Sequence, residues 1–169
     1  MGRSSWYGAF AAISRAPAYF YYAPMILTSA AAADAMRQQP EISRTIALLP
    51  EVDVAVVAIG AWAPGTSTVY DALTPSERHR LAAAGVVAEI SGILVDDEGH
   101  PLQPPFARRM LCPTADQLAQ VPHVVALAYG AERAGAVAAA LRTGLLHSVV
   151  VDKALAERLT EEAPPPLPQ

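Results

Sequence analysis

Hydrophobic periodicity along the chain predicts strands that alternate with helices. The clearest strand is Val52–Ile59, a nearly unbroken β-branched run that we expect to be buried on both faces of a parallel sheet. His123–Ala128 and Ser148–Val151 are similar runs, and a helix predicted at Ala131–Arg142 joins them into a βαβ unit. The arrangement predicts six core side chains on neighbouring parallel strands: Val54, Val56, Val125, Leu127, Val149 and Val151.

Capping signals mark where helices begin. Thr74–Glu77 is a capping box with proline at the first helical position, and the predicted helix continues to Ala84. A second capping box, Thr114–Gln117, opens a short helix. The remaining pattern predicts helices at Ser29–Gln38, Glu41–Leu48 and Lys153–Glu162, strands at Tyr19–Leu27, Val86–Ile90, Ile93–Val95 and His100–Leu102, and a tight turn at Asp96–Gly99.

Composition indicates one globular α/β domain. The chain has 169 residues, of which 53% are hydrophobic and 17% charged, enough apolar side chain to build a core. We assign residues 19–162 to this domain, leave residues 1–18 unassigned, and interpret the proline-rich residues 163–169 as a flexible tail. The sequence shows no internal repeat.

Charge and residue usage exclude several classes of function. A net charge of -4, with Lys153 as the only lysine, argues against a nucleic-acid surface. The single cysteine, Cys112, fits a reducing cytoplasm, and the four histidines form no metal-ligand pair. No apolar run is long enough to span a membrane. We therefore expect a cytoplasmic protein without metal or cofactor.

Three loops are candidates for a ligand site, because ligands bind beyond the carboxyl ends of parallel strands. They are Gly60–Thr68, with the Ser67 hydroxyl, Glu89–Gly92, and Tyr129–Arg133. Gly130 lets the backbone approach a ligand closely, and a cation at Arg133, unfavourable for the helix dipole, suits an anionic ligand.

Each of these residues also has a plain structural interpretation. Arg133 could instead form a surface ion pair with Glu132. Glu89, in an apolar strand, could accept hydroxyl groups of a ligand or face solvent. The acidic turn Asp96–Glu98 suggests solvated side chains rather than a cation site, because its spacing is not that of a calcium loop. No catalytic motif is present, so the sequence favours a protein that is not an enzyme.

Several segments together resemble the sugar-binding domain of SorC/DeoR-type transcriptional regulators. The closest stretch is Ala126–Thr160, and Gly85–Leu102 and the run VDVAVVAIGA are similar to further signatures of that family. The resemblance implies an α/β fold with a mostly parallel sheet and flanking helices, like ribose-5-phosphate isomerase and glucosamine-6-phosphate deaminase. It also implies that the helix-turn-helix and the first half of the sugar domain have no counterpart here, so the fold is incomplete at its amino terminus.

The resemblance further implies roles for individual residues. Arg133 stands where the family has a lysine that contacts the effector's phosphate, and Glu89 where an acidic residue contacts sugar hydroxyls. Gly60 and Gly130 border the ligand, Tyr129 replaces a glycine at the pocket rim, and Asp96 is a further candidate contact. The expected function is sensing of a sugar phosphate by a homo-oligomer. The alternatives are a sugar-phosphate isomerase or deaminase and an oligomerisation fragment that binds nothing.

Overall fold

Six strands form one mixed sheet in the part of the chain that the computed structural model describes, which is residues 13, 15, 17–20 and 22–162. The strands are β1 (Val54–Ala61), β2 (Val86–Ile90), β3 (Ile93–Asp96), β4 (Pro101–Leu102), β5 (His123–Ala128) and β6 (Ser148–Val151). Their order across the sheet is β4-β3-β2-β1-β5-β6. The helices are α1 (Ala30–Arg37), α2 (Pro40–Ala47), α3 (Thr68–Ala72), α4 (Pro75–Ala83), α5 (Ala115–Ala119), α6 (Ala134–Arg142) and α7 (Lys153–Glu162), with 3-10 turns at Leu49–Glu51, Ala107–Arg109 and Ala131–Arg133.

One half of the sheet is parallel, and the other half is an antiparallel extension. β5 pairs in parallel with β1 and with β6, and α6 connects β5 to β6, which confirms the predicted βαβ unit. β2 pairs antiparallel with the last residues of β1, with Gly60 opposite Glu89. β3 and β4 continue this extension as antiparallel neighbours. The predicted α/β sheet with flanking helices is therefore confirmed.

The main core lies between one face of the sheet and the helices α6 and α7. Val124, Ala126 and Ala128 of β5 point towards the helices, and so do Val57 and Ile59 of β1. Val137, Ala139, Ala140 and Leu155 meet these side chains from α6 and α7. Small alanines let the helix backbone pack close to the sheet.

A smaller core covers the opposite face of the antiparallel extension. Val69 of α3, Leu73 directly after it and Leu81 of α4 pack there on Val86 and Leu94. Phe106 and Met110 belong to the same cluster. Thr74 and Glu77 form the predicted capping box at the start of α4. These contacts hold α3 beside the end of β1.

The prediction that β1 is buried on both faces is wrong, and so is the prediction that Leu127 of β5 is a core residue. Side chains that alternate with the buried ones remain in contact with solvent, with exposures of 54% for Val54, 50% for Val56 and 40% for Leu127. Val125, Val149 and Val151 are partly buried, and Val150 of β6 is 57% exposed. A β-branched run indicates a strand, but it does not reveal whether a second layer of helices covers it.

The predicted strand Tyr19–Leu27 is also wrong for its described residues. Only Ile26 forms a β-bridge, to Met110, and the neighbouring backbone bonds run from Leu27 N to Arg109 O and from Leu111 N to Met25 O. Pro24 has no N–H to donate, which limits the length of any ladder here. Residues 163–169 and most of segment 1–18 lie outside the described residues.

Other element boundaries differ only in detail. β1 runs two residues beyond the predicted end, to Ala61, and the short helix α3 has no counterpart in the prediction. The predicted helix Ala131–Arg142 begins as a 3-10 turn, and α6 starts at Ala134. None of the helices within the described ranges combines the length and the apolar character that crossing a bilayer requires.

Candidate functional site

A cavity of about 420 Å³ opens where β1 and β5 end. The antiparallel pairing of β2 with β1 brings Glu89 to this place, and the loop after β1 brings Ser67. Five of the seven residues predicted from the sequence line the cavity, and Gly130 lies between two of them. The lining includes Gly60, Ser67, Glu89, Tyr129 and Arg133.

Gly60 allows the loop after β1 to fold back over the strand. A Cβ atom at this position would lie 2.6 Å from the carbonyl oxygen of Thr66 and 3.0 Å from Cγ of Glu89, so no larger residue fits without movement. The Thr66 hydroxyl donates to the carbonyl oxygens of Ala61 and Ala63, both at 2.9 Å, and so fixes the loop. This close approach places Ser67 beside Glu89.

Glu89 is a buried carboxylate with one oxygen bonded and one oxygen free. The Ser67 hydroxyl donates to Oε2 at 2.5 Å and the Val69 amide donates to it at 2.9 Å. Oε1 makes no hydrogen bond to any described residue, although Glu89 is only 5% exposed. Since Ser67 and Glu89 both line the cavity, Oε1 is an available acceptor for a hydroxyl group of a ligand.

Arg133 brings a buried positive charge to the other side of the cavity. Only 9% of the residue is exposed, and Nη1 donates to the carbonyl oxygen of Tyr129 at 2.6 Å and to Oε1 of Glu132 at 2.7 Å. The guanidinium lies over the Tyr129 ring, 4.8 Å from its centroid. Nε and Nη2 have no hydrogen-bond partner among the described residues. The edge of the guanidinium that carries these two nitrogens is therefore available to bind an anion.

The turn before Arg133 depends on Gly130. This residue has φ of 90°, a conformation that favours glycine, and its amide donates to Oδ2 of Asp152 at 3.1 Å. The turn therefore joins the end of β5 to the end of β6. It also holds the Tyr129 carbonyl where Arg133 reaches it.

Both interpretations of Arg133 that the sequence allowed have support in the geometry. The ion pair with Glu132 exists, and Glu132 is largely exposed. The bond to the Tyr129 carbonyl and the contact with the Tyr129 ring also hold Arg133 in this position. The ion pair with Glu132 holds Nη1 in place, and Nε and Nη2 make no hydrogen bond to a described residue.

No lysine lines the cavity among the described residues. Lys153, the single lysine, is 87% exposed, pairs with Glu157 at 3.5 Å and does not line the cavity. The Glu89 carboxylate accepts hydrogen bonds from the Ser67 hydroxyl and the Val69 amide. The arrangement suits binding of hydroxyl and anionic groups.

The structure does not bring Asp96 to this cavity. Asp96 pairs with Val86 at the far end of the β2–β3 hairpin, where its carboxylate accepts the His100 amide at 2.7 Å. This bond, followed in effect by the imidazole of His100, lowers the pKa of Asp96 below its ordinary value. The oxygen and nitrogen atoms with which Asp96, Glu98 and His100 could hold a metal ion lie within 4.8 Å of one another. Hydrogen bonds from the amide and the imidazole of His100 to Asp96 hold two of these residues together.

Some residues of the cavity had no individual signal in the sequence. Asp71 lines it and accepts the Gly65 amide at 3.0 Å, and Ala58 and Leu127 form its apolar side. Ser67 signals a helix cap by residue type, and its hydroxyl accepts the Tyr70 amide at 3.0 Å. Serine is too common in sequences for its presence alone to predict that α3 begins there.

Comparison with known proteins relates this geometry to a family. Residues 5–161 match the model of the Sugar-bind family, described as a "Putative sugar-binding domain". The chain is 29% identical over 138 residues to the transcriptional regulator LsrR of Klebsiella pneumoniae and 30% identical over 138 residues to LsrR of an Enterobacter species. Each alignment covers 79% of this chain and 43% of the regulator, so the chain spans less than half the length of these relatives.

Solved structures show the same fold. The full-length sorbitol operon regulator SorC from Klebsiella pneumoniae has a TM-score of 0.80 at 22% identity, over 89% of this chain and 49% of that chain. The sugar-binding domain of a transcriptional repressor from Vibrio fischeri has a TM-score of 0.70 at 24% identity, over 83% of this chain and 56% of that one. The match to the family model over residues 5–161 shows that the chain belongs to the Sugar-bind family of sugar-binding domains.

Proposed function

We propose that this chain senses a phosphorylated sugar in the cavity between β1, β2 and β5. Arg133 would bind the phosphate through Nε and Nη2, and Oε1 of Glu89 would accept a sugar hydroxyl. The observation that carries the proposal is that two buried, oppositely charged side chains line one cavity with hydrogen-bonding groups unused: Oε1 of Glu89, and Nε and Nη2 of Arg133.

The charges around the cavity also orient the ligand. Asp71 and Glu89 border one side, where a phosphate would be repelled, whereas Arg133 lies at the side formed by the end of β5. A sugar phosphate fits with its phosphate at Arg133 and its hydroxyls towards the two carboxylates. A neutral sugar would leave the free edge of Arg133 unused, which is why the proposal specifies a phosphate.

The relatives support a proposed role in the cell. Since they are transcriptional regulators, we propose that the chain reports the sugar to a DNA-binding part of such a regulator in the cytoplasm and catalyses no reaction. The net charge of -4 fits a module that does not contact DNA itself.

Calorimetric titration with pentose and hexose phosphates, and with the same sugars lacking phosphate, tests the proposal. Arg133→Ala should lower the affinity for the phosphates roughly ten- to a hundred-fold, since a charge-assisted contact contributes about 1.5 to 3 kcal/mol. It should leave the already weak binding of the neutral sugars unchanged. Glu89→Gln should weaken both series, because it perturbs the hydroxyl contact.

Arg142→Ala is the matched control, because Arg142 is exposed and pairs with Asp97 far from the cavity. It should bind like the parent, and thermal melts should establish that all three variants are folded. A parent chain that binds none of the sugar phosphates would contradict the proposed function. Equal binding by the parent and Arg133→Ala would contradict the role of Arg133.

A further inference from the structure

Tyr129 lies at the rim of the cavity and contacts Arg133 in two ways. Its carbonyl oxygen accepts a hydrogen bond from Nη1 of Arg133 at 2.6 Å, and its ring lies under the guanidinium, with the ring centroid 4.8 Å from Cζ. Both residues line the cavity. The backbone and the side chain of one residue therefore hold the guanidinium together.

The two residues differ in their contact with solvent. Tyr129 is 71% exposed, whereas Arg133 is 9% exposed. Because the exposed ring lies against the buried guanidinium, it separates part of the guanidinium from solvent. An aromatic side chain that remains mostly in water contributes little to the stability of the fold, so the contact with Arg133 is its main interaction with the rest of the chain.

A ring that excludes water changes how strongly the guanidinium attracts an anion. The attraction between two charges increases as the local dielectric constant falls, and salt screens a buried pair less than an exposed pair. The contacts of Nη1 with the Tyr129 carbonyl and with Glu132 also restrict how the guanidinium can turn. Since Arg133 leaves water when the chain folds, an anion that binds later does not incur that cost again.

We propose that Tyr129 is a positioning residue for Arg133, and that it sets how strongly the cavity prefers a phosphorylated sugar to the same sugar without phosphate. Its ring shields the guanidinium from water and salt and holds its plane, so that a phosphate meets a charge that is already desolvated and oriented. The ring face makes this contact, so the phenol hydroxyl is not required. The inference rests on the proposed function, because it concerns the phosphate contact in the same cavity.

Calorimetric titration at two salt concentrations tests the proposal. The probes are inorganic phosphate, pentose and hexose phosphates, and the same sugars without phosphate. Tyr129→Ala should lower the affinity for the phosphates about tenfold and leave that for the neutral sugars unchanged. Between about 20 and 300 mM NaCl, phosphate binding should weaken several times more in Tyr129→Ala than in the parent, because the guanidinium is then exposed to ions. Tyr129→Phe keeps the ring and should bind like the parent throughout.

A second measurement needs no ligand. The Nε–H proton of Arg133 should resonate upfield in the parent and in Tyr129→Phe, because it lies near the ring face, and should move downfield in Tyr129→Ala. Tyr22→Ala is the control, since Tyr22 is 85% exposed and does not line the cavity. It should match the parent in the titrations and in this resonance, and thermal melts should establish that every variant is folded.

Three results would contradict the role of Tyr129 and leave the proposed function standing. They are an Arg133 resonance that Tyr129→Ala does not move, phosphate binding by Tyr129→Ala that equals that of the parent at both salt concentrations, and a Tyr129→Phe variant that binds as weakly as Tyr129→Ala. Equal losses for phosphorylated and neutral sugars would contradict the effect on preference. A parent that binds no sugar phosphate would contradict the proposed function, and this inference with it.

Discussion

The position of Glu89 in the cavity depends on its tertiary contacts. An acid in an apolar strand indicated a purpose, but the sequence left open whether it faced a ligand or solvent. The register of β2 against β1 sets Glu89 opposite Gly60 and beside Ser67, so that it lines the cavity and is buried from solvent. Arg133 was easier to identify, because a cation after a glycine turn is unusual at the start of a helix. Local chemistry thus predicted the residue types, and strand register determined their grouping.

Cys112 provides a prediction at the scale of one residue. Burial, reinforced by the negative charge of Glu89 and partly offset by Arg37, raises the pKa of its thiol to about 11. At pH 8 only about one thiol in a thousand would be ionised in the folded chain, compared with roughly a quarter in the unfolded chain. Iodoacetamide should therefore alkylate Cys112 slowly in buffer and rapidly in urea. Equal rates in the two solutions would show that the thiol is not in this environment.

At the scale of elements, the sequence predicted most strands and helices of the described chain but not which faces are covered. The capping boxes at Thr74 and Thr114 and the βαβ unit were identified correctly, because their signals are local. The strand predicted at Tyr19–Leu27 was not found, since aromatic content alone does not supply a pairing partner. The covered face of β5 carries Val124, Ala126 and Ala128, whereas Val125 and Leu127, which were predicted to be core, lie on the alternate positions. The predicted core residues Val149 and Val151 of β6 do pack against the main core.

A matched pair of substitutions tests this assignment of faces. Val124→Ala should destabilise the chain by roughly 1.5 to 3 kcal/mol, since it removes two methyl groups from a fully buried side chain and leaves a cavity. Val54→Ala should cost less than about 1 kcal/mol, because Val54 is already half in solvent. Urea unfolding measures both. Equal losses would mean that the two faces of the sheet are covered alike.

The capping box of α4 predicts a dependence of stability on pH. Hydrogen bonds from the hydroxyl and amide of Thr74, together with Arg109, hold the pKa of Glu77 below its ordinary value of 4.5. A lowered pKa in the folded state stabilises the chain above pH 4.5, and this stabilisation is lost as the pH falls through the folded pKa. The parent should therefore be more stable than Glu77→Gln at pH 7, and the difference should shrink below about pH 4.5.

Glu51→Gln serves as the control for this pH series, because the Glu51 carboxylate is exposed and makes no hydrogen bond to another described residue. Its stability should follow that of the parent at every pH. A Glu77→Gln difference that stayed constant from pH 7 to pH 3 would mean that the charge of Glu77 does not stabilise the fold.

At the scale of the whole molecule, the arrangement of layers connects fold and function. α6 and α7 cover one face of the sheet, α3 and α4 cover the antiparallel half of the other, and the cavity lies beside the uncovered remainder. The resemblance to sugar-binding regulators predicted the fold and the family, and both are confirmed. The sequence did not predict which faces of the sheet are covered by helices. An exposed valine and a buried valine give the same strand pattern.

The measurement that tests the central claim most directly is amide chemical-shift mapping of the full chain titrated with pentose and hexose phosphates. If the sugar occupies the cavity, shifts should be concentrated at Gly60, Gly65, Val69 and Gly130, whose amides lie in or beside its lining. The groove along Gly92, Leu102 and Cys112, which is of similar size, should not respond. Shifts confined to that groove, or no shifts with any sugar phosphate, would contradict the account.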